Sequence, residues 1–359
     1  MRERLPILAV VFILAAAIPT HLRAQSPEFN VTILGANTSA SAINDAGEIG
    51  GNSGSNSVEW SSDTSSPVTL YGGQGCTITG INDSGDITGY SGVNAAVWSG
   101  TNQAVLQSPS NSAGADYAQG ISDSGEIAGF SFVTGGTDAV VWSGSSAAPT
   151  ELQALGTMSH AFAINNSGEI AGDSLSGPLD SGTIEAVIWT SANAAPTILG
   201  YPEAGIGSQW ASALAINNEG DSVGFAYHVG YEIPMEWNGA TPTAINIGAI
   251  GGEAGGAAVA INDSGEVVGW GGGGAAFLYV NGSVYNLDNL IPSGSGLSIE
   301  YATGINDQGD ITGWGMENEQ EVGFELTPVP EPSSRAMFAL GFAALFGALH
   351  AKRIRTRRA

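Results

Sequence analysis

The sequence predicts an all-β protein, a seven-bladed β-propeller closed by its N-terminal strand, and three observations predict it. A nine-residue hairpin motif recurs seven times along the chain. Each copy leads into two further short apolar segments of strand type, except the last, which has only one. The segment missing from the last copy is found at the start of the chain.

The motif reads Ile-Asn-Asp-Ser-Gly-Glu-Ile-x-Gly and begins at Ile43, Ile81, Ile121, Ile164, Ile216, Ile261 and Ile305, at intervals of 38, 40, 43, 52, 45 and 44 residues. Ile43-Asn44 ends one strand and Glu48-Ile49 begins the next. Asp45-Ala46-Gly47 makes the turn between them, with Gly free to take positive φ and the Asn and Asp side chains able to bond the turn backbone. A third strand follows, as in Ala96-Val97-Trp98 and Ala139-Val140-Val141-Trp142. A fourth is seen in Pro149-Thr150-Glu151-Leu152 and Pro196-Thr197-Ile198-Leu199. Four short strands in a unit of about 44 residues is the arithmetic of a propeller blade. The last unit stops at its third strand, Gly323-Phe324-Glu325-Leu326, while Thr32-Ile33-Leu34-Gly35 repeats the fourth-strand text Thr197-Ile198-Leu199-Gly200. The N-terminal strand is therefore expected to complete the seventh blade. A β-solenoid or sandwich array is the rival architecture, but it needs no such exchange and leaves its edges open.

Three segments follow: residues 1–24, a secretory signal; 25–328, the seven-repeat body; and 329–359, a tail. The signal has basic Arg2 and Arg4, an apolar run from Leu5 to Ile18 and a cut expected after Ala24, although Leu22 is large for its place. In the tail, Val329-Pro330-Glu331-Pro332-Ser333 precedes an apolar run, Ala336 to Ala351, closed by Lys352, Arg353, Arg355, Arg357 and Arg358. Sixteen helical residues span about 24 Å, somewhat short of a hydrocarbon core of about 30 Å, and snorkelling of the basic residues narrows the gap. The basic cluster would hold the far end in the cytoplasm, with the body outside the inner membrane.

All nine Lys and Arg lie in these two ends. Residues 25–334 contain none, against 33 of the 34 Asp and Glu, Glu3 being the other. A body without fixed positive charge cannot neutralise phosphates, which excludes nucleic acid as a partner. The single cysteine, Cys76, rules out an intramolecular disulfide and reads as a small buried strand residue.

The tail resembles the PEP-CTERM sorting signal of Gram-negative bacteria, on Val329, Pro330, Glu331, Pro332 and Ser333 followed by the apolar and Arg-rich segments. The resemblance implies an exosortase-type processing enzyme as partner, an inner-membrane precursor, release to the cell surface or matrix, and an association with exopolysaccharide. The body resembles the extracellular HAF repeats, on the hairpin motif and on Ala276-Phe277-Leu278-Tyr279 with Leu287-Asp288-Asn289-Leu290. That match covers residues 29–326. The family's His before Ala-Phe is absent here, where Ala275, Asp138 and Glu185 stand, and the name implies a location but no activity.

No catalytic constellation is evident. His160 and His228 are the body's histidines, and neither lies in a nucleophile-elbow context; zinc spacings and a Gly-x-x-x-x-Gly-Lys loop are absent. His160 is expected on a strand beside Phe162, and His228 in a loop. The turn carboxylates Asp45, Asp83, Asp123, Asp263 and Asp307, with Asn166 and Asn218 in the other two copies, should form a circular array. They serve turn formation, or weak Ca²⁺ binding through oxygen ligands. The third-strand Trp residues read as core. Trp270 and Trp314, which follow the motif Gly in neighbouring units, are the candidates for stacking on sugar rings. The expected function is an exported structural or binding protein of the envelope or matrix; the alternative is a carbohydrate-active hydrolase or lyase on the same scaffold, which needs a carboxylate pair that nothing in the sequence singles out.

Overall fold

The computed structural model describes residues 26–61, 66–178, 181–201, 210–228, 230–247 and 255–330. They form seven four-stranded antiparallel sheets, each ordered from the axis outwards. Blade 1 comprises Thr38–Ile43, Ile49–Ser53, Asn56–Trp60 and Val68–Gln74. Blades 2 to 6 repeat this order, with inner strands Cys76–Ile81, Ser112–Ile121, Ser159–Ile164, Ala211–Ile216 and Gly256–Ile261. Blade 7 takes Leu297–Ile305, Ile311–Glu317 and Gln320–Pro328 from the C-terminal end of the body and Phe29–Ala36 from the N-terminal end. Phe29 pairs with Pro328, and Val31 with Leu326. The exchange expected from the sequence is thus the closure of the ring. It leaves Phe29 and Leu34 buried in blade 7 and covers its outer edge.

One irregularity recurs in every blade. The inner strand slips by one residue against the second strand, between Ala40 and Ala42 in blade 1 and at the matching place in all the others. This bulge explains the last motif residue, which has nothing to do with the turn. A Cβ on Gly51, Gly89, Gly129, Gly172, Gly224, Gly269 or Gly313 would lie 1.9–2.2 Å from an inner-strand carbonyl oxygen. Only Gly lets the bulged strand come this close. The turn Gly works differently: Gly47 sits at φ 77° and its N–H donates to the Asn44 carbonyl at 3.0 Å.

The core fills the seams between blades. Trp60, Trp98, Trp142, Trp189 and Trp237 are 1% exposed or less. The indole N–H of Trp142, Trp189 and Trp237 donates to the carbonyl of Gln107, Gln153 and Gly200 respectively, each in the preceding blade. Blades 6 and 7 have Tyr279 and Leu326 in the Trp register, and there Phe277 and Phe324 reach the motif Gly instead. Cys76 is buried in its strand with a free thiol, as the sequence suggested. His160 lies on the inner strand of blade 4 beside Phe162. His228, read as a loop residue, is the last residue of the second strand of blade 5, because pairing with Tyr231 extends that hairpin. The signal at 1–24 and the tail from Glu331 onward lie outside the described residues. Among the described residues no helix is long and apolar enough to cross a membrane.

Candidate functional site

The hairpin turns of the seven blades meet around the axis on one face, which we call the turn face. In six of the seven turns an Asn side chain folds back on its own loop: Asn44 Oδ1 accepts from the N–H groups of Ala46 and Glu48, at 3.1 and 2.8 Å. Its Nδ2 then reaches the next blade and donates to the Asn82 carbonyl at 2.9 Å. The same link joins Asn82 to Ser122, Asn165 to Asn217, Asn217 to Asn262, Asn262 to Asn306 and Asn306 back to Asn44, at 3.0–3.1 Å. Blade 3 carries Ser122 in place of Asn, and this shorter side chain bonds Ser124 Oγ at 2.8 Å instead.

The next residue makes a second ring. The backbone N–H of Asp45 donates to Asp83 Oδ1, and the relation repeats through Asp123, Asn166, Asn218, Asp263 and Asp307 back to Asp45, at 2.8–3.0 Å. The circular array expected from the sequence is therefore a closed chain of hydrogen bonds around an axial cavity of about 160 Å³. Asn166 and Asn218 stand side by side in the ring, leaving the five carboxylates in one run, and donate to its two ends, Asp123 Oδ2 and Asp263 Oδ2. Burial pushes the Asp45 carboxyl above its ordinary value; the N–H of Asp307 opposes this, and the carboxylates of Asp307, Asp83 and Asp263 add to it. Every Oδ1 of the five acids is committed to a backbone N–H. Among the described residues no group of three or more His, Cys, Asp or Glu is arranged to hold a metal ion. The geometry accounts for the acids as a seal between blades, so the weak Ca²⁺ reading would have to rest on the Oδ2 atoms alone.

The opposite face carries different chemistry. The residue after each motif Gly pairs with an inner-strand residue at the end far from the turn: Asn52 with Ser39, Tyr90 with Thr77, Phe130 with Tyr117, Asp173 with His160, Phe225 with Ser212, Trp270 with Ala257 and Trp314 with Tyr301. Equivalent register puts these positions at one level around the ring. Tyr301 stacks on Trp314, with centroids 4.5 Å apart and planes 18° apart, and Trp270 of blade 6 packs on Tyr301 at 5.7 Å. The two Trp residues singled out from sequence are thus joined through a third ring, across the seam of blades 6 and 7. All three rings are partly exposed. Tyr301 was missed, because nothing in its segment Ile299-Glu300-Tyr301 separates it from a core strand residue. A second aromatic run, Tyr90–Tyr117–Phe130–His160, crosses blades 2 to 4 with centroids 4.7–5.0 Å apart. Trp210 stands apart, exposed and edge-on to Phe225.

His160 has partners that the sequence did not reveal. Its Nδ1 lies 2.8 Å from Asp173 Oδ1, its Nε2 lies 2.9 Å from Thr137 Oγ1 of blade 3, and Asp173 Oδ2 accepts from Ser212 of blade 5 at 2.6 Å. The order of groups is that of a charge relay. The hydroxyl at its head is, however, 3% exposed and sits in a seam, as does Asp173 at 5%. The network clamps three blades together and presents no nucleophile to a substrate. Asp116, 2% exposed, is satisfied in the same manner by the hydroxyls of Ser108, Ser112 and Ser131.

Both ends of the body leave on the turn face. Pro328 lies against the turn residue Gly309, and the Val329 N–H donates to the Glu28 carbonyl at 2.8 Å.

Neither a family model nor a curated protein matches the sequence. Among solved structures, the extracellular domain of the hybrid two-component system BT4673 from B. thetaiotaomicron matches with a TM-score of 0.52 at 11% identity, over 84% of this chain and 40% of that one. A sialidase from Trypanosoma rangeli matches with a TM-score of 0.39 at 9% identity, over 89% of this chain and 62% of that one, a likeness too loose to bear on activity. The chain spans less than half of the first structure's length. What this likeness supports is the fold: this chain is an all-β, seven-bladed propeller.

Proposed function

We propose that this chain is an exported polysaccharide-binding propeller of the cell envelope or extracellular matrix. The Trp270–Tyr301–Trp314 stack is the observation that carries the reading. Aromatic faces bind sugar rings through their apolar C–H surfaces, and partly exposed rings held by a rigid sheet lose little freedom on binding. Of the other six Trp residues five are core, and Trp210, exposed against Phe225, lies outside the stack, so Trp270 and Trp314 are the aromatic pair spared from packing duty. In this reading the signal at 1–24 exports the body and the PEP-CTERM-like tail anchors the precursor until an exosortase-type enzyme removes it. The position of Pro328 supports such an arrangement, since a tether leaving the turn face would turn the aromatic face away from the membrane. The test is a glycan array probed with residues 25–328 and with its Trp270→Ala/Trp314→Ala variant. Binding to polysaccharide that the variant loses, without loss of folding, is the expected result. Turnover of a bound polysaccharide would favour the hydrolase or lyase alternative, and no binding at all would overturn the proposal.

A further inference from the structure

We infer that the glycan taken by this stack carries protonated amines, as an amino-sugar polymer does. The inference rests on the reading that Trp270, Tyr301 and Trp314 bind sugar, and it adds the charge class of that sugar.

Trp314 lies in the second strand of blade 7, and three residues later that strand turns into the hairpin Glu317-Asn318-Glu319-Gln320-Glu321. Asn318 and Glu319 hold the turn at φ 50° and 65°. Glu319 and Glu321 are exposed and Glu317 is partly so. Glu321 pairs with Met316, which lies two residues from Trp314, so strand alternation puts Glu321 on the same side of the blade as the indole. At about 3.3 Å per residue, this carboxylate stands within the length of one or two sugar units of the ring. A polymer lying across the seam of blades 6 and 7 meets aromatic faces first and carboxylates beside them.

Charge complementarity selects among polymers. The body from residue 25 to 334 has no Lys or Arg, so it holds no guanidinium or ammonium with which to offset a uronate or a sulfate. An anionic chain would approach an unrelieved negative field; a cationic one would be drawn in by it and would also find aromatic faces suited to ammonium groups.

The test titrates residues 25–328 with hexamers of glucosamine, of N-acetylglucosamine and of guluronate at pH 5.5 and constant ionic strength. That pH keeps the sugar amines protonated. The glucosamine hexamer should bind at least about tenfold more tightly than its acetylated counterpart, and the guluronate hexamer should not bind. A Glu317→Gln/Glu319→Gln/Glu321→Gln variant should lower glucosamine affinity about tenfold and leave the acetylated hexamer unchanged. Glu151→Gln/Glu219→Gln, which removes exposed carboxylates elsewhere, should change neither, and Trp314→Ala should weaken both. Equal affinity for the two hexamers, or an unaffected triple variant, would overturn the charge assignment while leaving sugar binding intact. Failure of every hexamer to bind the unmodified body would overturn the binding proposal itself.

Discussion

Replacing Gly129 with Ala should cost the propeller far more stability than replacing Gly125, although the two residues stand four apart in one motif. Gly125 is the turn residue, at φ 82°, and a Cβ there meets nothing within 4 Å. Its substitution incurs only the strain of a left-handed alanine, about 1 kcal/mol. Gly129 is the closing residue, and its Cβ would lie 2.0 Å from the Tyr117 carbonyl oxygen and 3.0 Å from the indole of Trp142. Neither neighbour can yield cheaply. The carbonyl belongs to the bulged inner strand, and Trp142 is fully buried and bonded to Gln107 in the preceding blade. Overpacking of this kind costs about 3 kcal/mol or more. At about 2 °C per kcal/mol for a domain of this size, melting should fall by about 6 °C for Gly129→Ala and about 2 °C for Gly125→Ala. Calorimetry and urea titration of residues 25–328 would measure both. Equal losses, or a larger loss at Gly125, would refute the claim that the motif's last Gly is there for close approach.

Ser122→Asn should supply the one Asn-to-carbonyl link missing from the inner ring and raise stability by about 1 kcal/mol, read from the urea midpoint; no gain would mean that the six existing links do little to hold the blades. Deleting residues 29–36 uncovers Val322, Phe324 and Leu326 and removes two buried side chains, a loss of about 5 kcal/mol that should lower the melting of the whole body as one transition. Burial raises the carboxyl pKa of Asp45, Glu59, Asp221, Glu232, Glu236 and Glu325 above their ordinary values. Groups raised in the fold bind protons more tightly there, so their contribution is fully present below the unfolded carboxylate range and is lost as pH rises through the folded values. The body should therefore melt at a higher temperature at pH 5 than at pH 7.5 at fixed ionic strength; a fall on acidification would show that these groups do not govern its stability. Ca²⁺ and Na⁺ at matched ionic strength should raise melting equally, because every Oδ1 of the acidic ring is already bonded; a larger Ca²⁺ effect would put a metal on the ring.

Much of the architecture could be read from the repeat, because a blade is a local unit. Hairpin turns and strand order are encoded within about 44 residues, the count of seven follows from the number of motif copies, and the shared text Thr-Ile-Leu-Gly betrayed the exchange that closes the ring. What lay beyond reading were relations between blades. The Nδ2 of Asn44 could be seen as turn-forming, but its reach to Asn82 depends on how tightly seven blades crowd the axis. The closing Gly could be seen as invariant across the copies, yet its cause, a carbonyl 2 Å away, arises from a bulge that no single strand announces. Trp270 and Trp314 were found by their shared place after the motif Gly, whereas Tyr301, which joins them, sits on an unremarkable inner strand. His160 likewise looked isolated, because Thr137, Asp173 and Ser212 come from three different blades.

The turn face seals the ring, and in the proposed function the aromatic face binds sugar. A crystal structure of residues 25–328 grown with glucosamine hexamer tests it most directly. Sugar rings are expected in stacking contact with Trp270, Tyr301 or Trp314 and amines near Glu321, with the ring of Asp45 and its equivalents untouched. Sugar seated in the axial cavity among those acids, with nothing on the aromatic face, would contradict it.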